Sequence, residues 1–160
     1  MILHIDIRHF DDRKSKIDTI IIHSCFAPDA QDPFCPQESI SLFNQCKVSA
    51  HYLISRDGNI LNLVPEENRA WHAGVSKLPF PDDPREAVND FSIGIELIGE
   101  NDFTEAQYLS LIDLINKIKT RHDIKYILGH NHIAPDRKVD PGENFDWARL
   151  KKIFNDCFFR

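Results

Sequence analysis

The chain has 160 residues, of which 42% are hydrophobic, so its length and composition fit one domain with a single buried core. Its formal charge of -6 at pH 7 argues against nucleic acid as a partner, because binding phosphates requires clustered lysines and arginines. No apolar run approaches the roughly 18 residues that span a bilayer, and Met1–Asp12 lacks the pattern of a secretory signal, so we expect a cytoplasmic protein with no membrane partner.

The first clear element is the β-branched run Ile17–His23, which predicts a central strand covered on both faces. His23 then lies near the carboxyl end of that strand. Residues Pro28–Gln37 are rich in proline, aspartate and glutamine and predict a loop, which is followed by a short helix over Glu38–Gln45. We expect this loop to border whatever His23 binds.

The next segments predict three more strands. Ala50–Ser55 and Asn59–Val64 flank an Asp-Gly turn, which is a strong hairpin signal between two apolar runs. Lys77–Asn89 contains three prolines and several acids and predicts a surface loop. Phe91–Ile98 alternates between apolar residues and small or polar ones, as expected of a strand.

A helix is predicted to begin at Thr104, because Thr104 and Gln107 form a capping box and Phe103 and Tyr108 can form a hydrophobic staple. One face of this helix is apolar at Tyr108, Leu111, Ile112, Ile115 and Ile118, and the other is polar at Asp113, Asn116, Lys117 and Lys119. We therefore expect the helix to pack on a sheet as scaffold.

The remaining chain predicts a short strand over Tyr126–His130, a loop over Ile133–Gly142 and an amphipathic helix over Asp146–Phe158. Early hairpin strands, with a helix before the last strand, indicate an α/β (α+β) domain in which helices flank a mixed sheet. The predicted organisation is one domain over residues 1–160. The sequence leaves the oligomeric state open and slightly favours a monomer.

Two histidines lie at predicted strand ends, where loops gather and ligands bind. These are His23 and His130. Asp140 follows in a segment that Pro141 holds extended, so that Lys138 and Asp140 point to the same side. Two imidazoles and one carboxylate leave the fourth tetrahedral position of zinc open for water, as in catalytic zinc sites. The pattern therefore predicts a hydrolytic zinc centre.

Two further side chains have a use at such a centre. Glu96, on the strand Phe91–Ile98, is the candidate general base, and its apolar neighbours would raise its pKa toward neutrality. Lys138 can stabilise the oxyanion that forms when an amide carbonyl is attacked. A salt-bridged glutamate and a solvated lysine are the structural alternatives.

The cysteines are expected to be reduced thiols, because they are few, irregularly spaced and form no C-x-x-C pair: Cys25, Cys35, Cys46 and Cys157. Cys25 lies two residues from His23 and would share its strand face, which makes it a possible metal ligand. Nothing else in the pattern requires a thiol there.

The chain resembles the type 2 N-acetylmuramoyl-L-alanine amidases, and within them the AmpD-like group that acts on anhydromuramyl peptides. The resemblance is carried by ordered blocks at Ile20–His23, Val48–Ile54, Arg69–Val75, Asn89–Leu97, Gly129-His130, Ile133–Lys138 and Asp140–Gly142. It implies the mixed-sheet fold shared with peptidoglycan recognition proteins. It also implies zinc ligation by His23, His130 and Asp140, with Glu96 as base and Lys138 as oxyanion stabiliser.

Some positions depart from the wider family. Related recognition proteins and phage amidases commonly have a cysteine as third ligand and use a tyrosine in catalysis, whereas this chain has Asp140 and carries Ala50 where that tyrosine would lie. Both features indicate the AmpD-like group. His51 and His72 belong to family blocks, and we expect them to be structural or to line the cleft.

Substrate contacts are predicted at Ser24, which replaces a frequent asparagine, and at Lys47, which replaces an arginine. Trp71, His72 and Arg137 complete the predicted substrate site, in which Lys47, Trp71 and Arg137 would hold a peptide carboxylate and a sugar face.

The resemblance implies a bacterial enzyme of cell-wall recycling that hydrolyses the amide bond between N-acetylmuramic acid, in its 1,6-anhydro form, and L-alanine of a muropeptide. Two alternatives stay open. The first is an autolysin or prophage lysin that acts on intact wall. The second is a peptidoglycan-binding module without catalysis, which is disfavoured because non-catalytic relatives typically lack a zinc ligand.

Overall fold

A five-stranded mixed sheet forms the centre of the computed structural model, which describes residues 7–160. Met1–Asp6, half of the segment that argued against a signal, lie outside the described residues. The strands are β1 (Phe10–Asp12), β2 (Thr19–Cys25), β3 (Tyr52–Ile54), β4 (Ile60–Asn62), β5 (Asn68–Ala70), β6 (Ser92–Ile98) and β7 (Tyr126–Gly129). The sheet order is β4-β3-β6-β2-β7, in which only β4 runs antiparallel to its neighbour, and β1 pairs with β5 separately.

The α-helices within the described residues are α1 (Pro36–Cys46), α2 (Glu105–Lys119), α3 (His130–Ile133) and α4 (Trp147–Ile153), and a short 3-10 helix over Val88–Phe91 precedes β6. None of them is long and apolar enough to cross a membrane. α2 begins with the predicted capping box: the Thr104 hydroxyl accepts from the backbone of Gln107, and the Gln107 side chain accepts from the backbone of Thr104. Phe103 and Tyr108 contact each other as the predicted staple.

One face of the sheet packs against α2 and α4. Ile20 and Ile22 of β2 and Ile95 of β6 are fully buried in one cluster with Leu111 of α2 and Leu150 of α4. Burying an isoleucine side chain of this kind contributes roughly 2 to 3 kcal/mol to stability. This face is the scaffold that the apolar stripe of α2 predicted, and it fixes the positions of the strand ends.

The opposite face of the sheet is covered by α1 and by loops. Ile21 of β2 packs with Ala73, and Leu53 of β3 packs with Phe43 of α1. All seven residues of β6 are therefore buried, although its sequence alternates. The small and polar residues of β6 therefore face the protein interior and not water. Polar side chains can form buried hydrogen bonds on this face of the sheet.

Several predicted boundaries shift in the structure. α1 begins at Pro36 because proline is favoured at the first helical position, where its missing N–H is not needed. α4 ends at Ile153, since the chain then turns back and Phe158 forms a β-bridge with Tyr126. His130, predicted as the end of a strand, is the first residue of α3. The short strands β1 and β5 carried no apolar pattern that predicted them.

Arg13, which directly follows β1, connects this part of the chain to the segments before β5 and β6. Its guanidinium donates to backbone carbonyls of five residues: Glu66, Asn68, Asn89, Asp90 and Ser92. Charge-assisted hydrogen bonds of this kind are among the stronger ones in proteins. They hold residues 89–92, which lead into β6, in place, and Asn89 and Ser92 of this segment both contact His72 beside the candidate site.

Glu66 yields a test of pH-dependent stability away from that site. Burial raises the pKa of Glu66, but hydrogen bonds from Arg121, Tyr52 and His122 outweigh burial and lower the pKa to about 2. A carboxylate whose pKa is lower in the folded state stabilises the protein at every pH above its ordinary pKa of 4.5. This contribution to stability is lost as the pH falls from 4.5 toward 2.

Glu66→Gln is accordingly expected to lower the free energy of unfolding by about 1 to 2 kcal/mol at pH 7, a figure that allows for solvent screening. Urea unfolding at pH 7, 5, 4 and 3 should show the difference from wild type shrinking as the pH falls. Glu67→Gln removes the same charge at the neighbouring exposed position and should change stability little. A difference that stays constant across this pH range would contradict the assignment.

Candidate metal centre

Three acceptor atoms from distant parts of the chain meet at one edge of the sheet. His23, near the end of β2, places its Nδ1 3.0 Å from Nδ1 of His130 and 3.2 Å from Oδ2 of Asp140. The distance from His130 Nδ1 to Asp140 Oδ2 is also 3.2 Å. These are the three side chains predicted as ligands, and they form a group that could hold a metal ion.

The His130 ring is oriented by a backbone carbonyl. Its Nε2 lies 3.1 Å from the carbonyl oxygen of Ala73, which can only accept, so Nε2 carries the proton and donates. Nδ1 of a neutral His130 is then a lone pair directed at the other two acceptors. The Ala73 carbonyl also accepts a hydrogen bond of 2.7 Å from Arg137, which holds this carbonyl in its orientation toward His130.

The donor set and its dimensions fit zinc. Ligand atoms about 2.0 Å from a tetrahedral ion lie about 3.3 Å from one another, close to the three distances between these acceptors. Burial lowers the pKa of His23 to about 4, which keeps its imidazole neutral and able to ligate near pH 7. Two neutral imidazoles and one carboxylate suit zinc and leave one tetrahedral position for a reactant.

Glu96 lies directly beside His23. The two residues are paired in register on the adjacent parallel strands β2 and β6, so their side chains share a face. Glu96 is buried, and among the described residues its Oε2 has no hydrogen-bond partner. Burial, together with the charge of Asp140, raises the pKa of Glu96 to about 8. A carboxyl with this pKa can exchange a proton near neutral pH, as a general base requires.

Lys138 is half-buried in the loop between α3 and Asp140. Its positive charge acts on the site, because it lowers the pKa of both Glu96 and His23. The sequence placed Lys138 and Asp140 on the same side of this loop. The structure brings the charge of Lys138 to the same centre as the carboxylate of Asp140.

The residues predicted to bind substrate are placed differently from one another. Lys47 is exposed at the end of α1, and Trp71 is partly exposed with its ring near that of His9. Arg137 is exposed, but its guanidinium donates to the carbonyls of Ala73 and Val75. Arg137 thus supports the loop beside the centre, while Lys47 and Trp71 are available to a ligand.

Ser24 and His72 are not presented to a cleft. Ser24 follows His23 in β2, so its side chain lies on the opposite face of the sheet, which packs against α2 and α4. His72 is buried, and both of its ring nitrogens contact protein atoms, Nδ1 at 2.9 Å from His23 Nε2 and Nε2 at 3.1 Å from Ser92 Oγ. Among the described residues the metal-capable group does not include Cys25, which forms no disulfide.

Ser92 and Asn89 were not singled out from the sequence, although both contact the site's surroundings. The side chain of Asn89 accepts from the backbone N–H groups of His72 and Ala73, at 3.1 and 2.8 Å. A signal for Ser92 existed: Ser92, Gly94 and Glu96 share one face of an otherwise apolar buried strand. A polar stripe on such a strand indicates a buried hydrogen-bond network.

A cavity of about 1010 Å³ lies next to this centre. Its lining includes Gly74, Ile133 and Arg137, which border the segments that carry His130 and Ala73. None of the three acceptor residues lines it. The metal-capable group is therefore placed beside the cavity and not within it.

Comparison with known proteins gives a consistent result. A family model described as N-acetylmuramoyl-L-alanine amidase matches residues 13–143. The 1,6-anhydro-N-acetylmuramyl-L-alanine amidase AmpD of Citrobacter freundii is 50% identical over 111 residues, which cover 67% of this chain and 57% of that protein. The matched part of the chain thus spans a little over half the length of this relative.

Solved structures extend the similarity to the fold. A selenomethionine derivative of AmpD matches with a TM-score of 0.75 and 38% identity, covering 91% of this chain and 89% of the other. AmiD of E. coli, in complex with the substrate anhydro-N-acetylmuramic acid-L-Ala-D-gamma-Glu-L-Lys, matches with a TM-score of 0.70 and 29% identity, covering 90% and 65%. These matches confirm the mixed sheet with flanking helices that the sequence predicted.

Proposed function

The chain belongs to the N-acetylmuramoyl-L-alanine amidase family, and from that premise we propose that it hydrolyses the amide bond between 1,6-anhydro-N-acetylmuramic acid and L-alanine in peptidoglycan fragments. The observation that carries the proposal is the meeting of His23 Nδ1, His130 Nδ1 and Asp140 Oδ2 beside a buried Glu96. This arrangement supports the proposal, because it brings a group that could hold a metal ion next to a buried carboxyl that could act as a base.

The proposed cofactor is zinc, held by His23, His130 and Asp140. Zinc at such a site supplies Lewis-acid polarisation of a carbonyl and a water of lowered pKa. His23 and His130 contribute by being held in a fixed orientation, since each has its Nε2 engaged with another protein group. Asp140 contributes the negative charge that a doubly charged ion requires.

Glu96 is proposed as the general base that takes a proton from the attacking water and delivers it to the leaving amine of L-alanine. Its position beside His23 supports this role, and burial, which raises the pKa of Glu96 in the metal-free protein to about 8, favours a carboxyl that can hold the proton between the two steps. Lys138 is proposed to stabilise the oxyanion of the attacked carbonyl, since its positive charge lowers the pKa of both Glu96 and His23.

The proposed substrate is a muropeptide, in line with the ligand that accompanies the E. coli AmiD structure. Lys47 and Trp71 are the exposed candidates for a peptide carboxylate and a sugar face. Arg137 acts by holding the carbonyl of Ala73 as well as by its charge. For Ser24 the structure offers no direct support, because its side chain lies on the opposite face of β2.

The proposed cellular role is wall recycling in the bacterial cytoplasm, carried out by a single domain. Free thiols at all four cysteines fit a reducing compartment. The full activity and partners belong to the proposal, because the match spans only 57% of the first relative's length.

An assay with two substrates tests this function. The zinc-loaded protein should release L-alanyl peptide from an anhydromuramyl tripeptide, and it should cleave the matched non-anhydro muramyl tripeptide more slowly. Insoluble peptidoglycan sacculi should release little product under the same conditions. Activity confined to sacculi would contradict the recycling role and favour a wall-degrading enzyme. Binding of muropeptide without cleavage of either substrate would identify a non-catalytic module.

A further inference from the structure

His23 is connected to the interior of the protein by a series of three buried polar contacts. Its Nε2 lies 2.9 Å from His72 Nδ1, and His72 Nε2 lies 3.1 Å from the Ser92 hydroxyl. The Ser92 hydroxyl in turn lies 2.6 Å from the carbonyl oxygen of Val88. The series ends on a backbone carbonyl, which can only accept a hydrogen bond.

That fixed end determines the direction of each hydrogen bond. The single proton of Ser92 must lie between its oxygen and the Val88 carbonyl, since two oxygens 2.6 Å apart require a hydrogen between them. Ser92 Oγ therefore accepts from His72, and the proton of a neutral His72 lies on Nε2. His72 Nδ1 is then an acceptor, so His23 donates from Nε2, and a neutral His23 has its Nδ1 unprotonated.

The His72 ring is confined to the position that this arrangement requires. A Cβ atom at Gly94 would come within 2.4 Å of the His72 ring, so glycine at this position of β6 allows the ring to lie against the strand. Asn89 holds the backbone of His72 by accepting from its N–H. The ring therefore cannot rotate to present its other nitrogen to His23 without displacing these neighbours.

We propose that Ser92 and His72 are positioning residues that fix His23 in the tautomer whose Nδ1 is free to ligate the metal ion. The inference rests on the metal role proposed for His23, and it differs from the substrate contact predicted for His72. Hydrogen-bond partners behind a ligating histidine hold the tautomer and the ring direction, and losing one typically weakens metal binding about 10- to 100-fold.

The tautomers can be observed in the metal-free protein. Long-range proton–nitrogen NMR correlations of the imidazole rings distinguish a proton on Nδ1 from a proton on Nε2. At pH 7 both His72 and His23 should carry their proton on Nε2. A His23 ring protonated on Nδ1 in the wild-type protein would overturn the proposal.

Zinc affinity, measured by competition with a chromophoric chelator, tests the consequence. Ser92→Ala removes one buried oxygen and should weaken zinc binding about 10- to 100-fold, with loss of the fixed His72 tautomer. His72→Leu should weaken it at least as much. His72→Asn retains an oxygen at the position of Nδ1 that can accept from His23, and it should recover part of the lost affinity.

Ser55→Ala is the matched control, because Ser55 is also a buried serine but lies in the β3–β4 hairpin, where its hydroxyl contacts Asp57 and Asn59. Its zinc affinity should equal that of wild type. If Ser92→Ala also binds zinc like wild type, the positioning role of Ser92 and His72 is refuted while the proposed function stands. If the wild-type protein itself takes up no zinc, the proposed function and the positioning role both fail.

Discussion

Glu96→Gln is expected to lower kcat on an anhydromuramyl tripeptide about 10²- to 10⁴-fold, the usual contribution of a positioned general base. Glutamine keeps the shape of the side chain but cannot accept a proton. Zinc affinity should remain close to that of wild type, because Glu96 lies beside His23 and is not a member of the acceptor group. Steady-state kinetics combined with metal analysis of the same samples measures both quantities.

A control separates this effect from a general loss of negative charge near the site. Glu100 is exposed just beyond the end of β6, and Glu100→Gln should retain wild-type kcat. Glu96→Gln activity within about threefold of wild type would remove Glu96 from the chemistry and leave it as a buried structural acid.

The same Glu96→Gln substitution should change how stability depends on pH. The pKa of Glu96 in the folded metal-free protein is about 8, above its ordinary value of 4.5. The folded state therefore holds this proton more tightly, and stability is lost as the pH rises from 4.5 through 8. Glu96→Gln should remove that loss, so the metal-free variant should be more stable than metal-free wild type at pH 8.5.

Asp140→Asn is expected to give the second large loss. The substitution keeps the size of the side chain but removes the only negative charge among the three acceptors, so zinc should bind much more weakly. A catalytic metal supplies several kcal/mol of transition-state stabilisation, so activity at limiting zinc should fall about 10³-fold or more. Chelation of wild type should produce the same loss, and added zinc should reverse it.

Asp136→Asn is the control for this experiment. Asp136 is an exposed acid in the loop that leads to Asp140, and it lines the neighbouring cavity. It should bind zinc and turn over substrate as wild type does. Retention of stoichiometric zinc and full activity by Asp140→Asn would show that this carboxylate is not a ligand. The two results together distinguish a role in the metal centre from a general electrostatic effect of the loop.

The metal-capable group was predictable because each member carries a local signal. His23 ends a β-branched run, His130 follows a short apolar segment, and Asp140 stands before a proline. The structure brings the three together as predicted, although His130 begins α3 and does not end a strand. Although the strand ends one residue earlier than predicted, the His130 side chain still points toward His23 and Asp140.

The hydrogen-bond directions around the site were beyond prediction from the sequence. The contact of His72 with Ser92 and His23 depends on a loop that folds across β6, and residues 23 and 72 are 49 positions apart. The sequence assigned His72 and Ser24 to a substrate cleft, since family blocks give residue types and not orientations. The structure places His72 beneath His23 and Ser24 on the other sheet face.

The sequence alone determined the features that depend on neighbouring residues: the buried strand ending near His23, the hairpin, the capping box of α2 and the donor types available to a metal. Only the tertiary structure decided which ring nitrogen of each histidine faces the metal position, which face Ser24 occupies and which carbonyls Arg13 holds. Local elements follow from backbone propensity and periodicity within a few residues. Ring orientation follows from hydrogen bonds between segments up to 57 residues apart, and no local pattern encodes their direction.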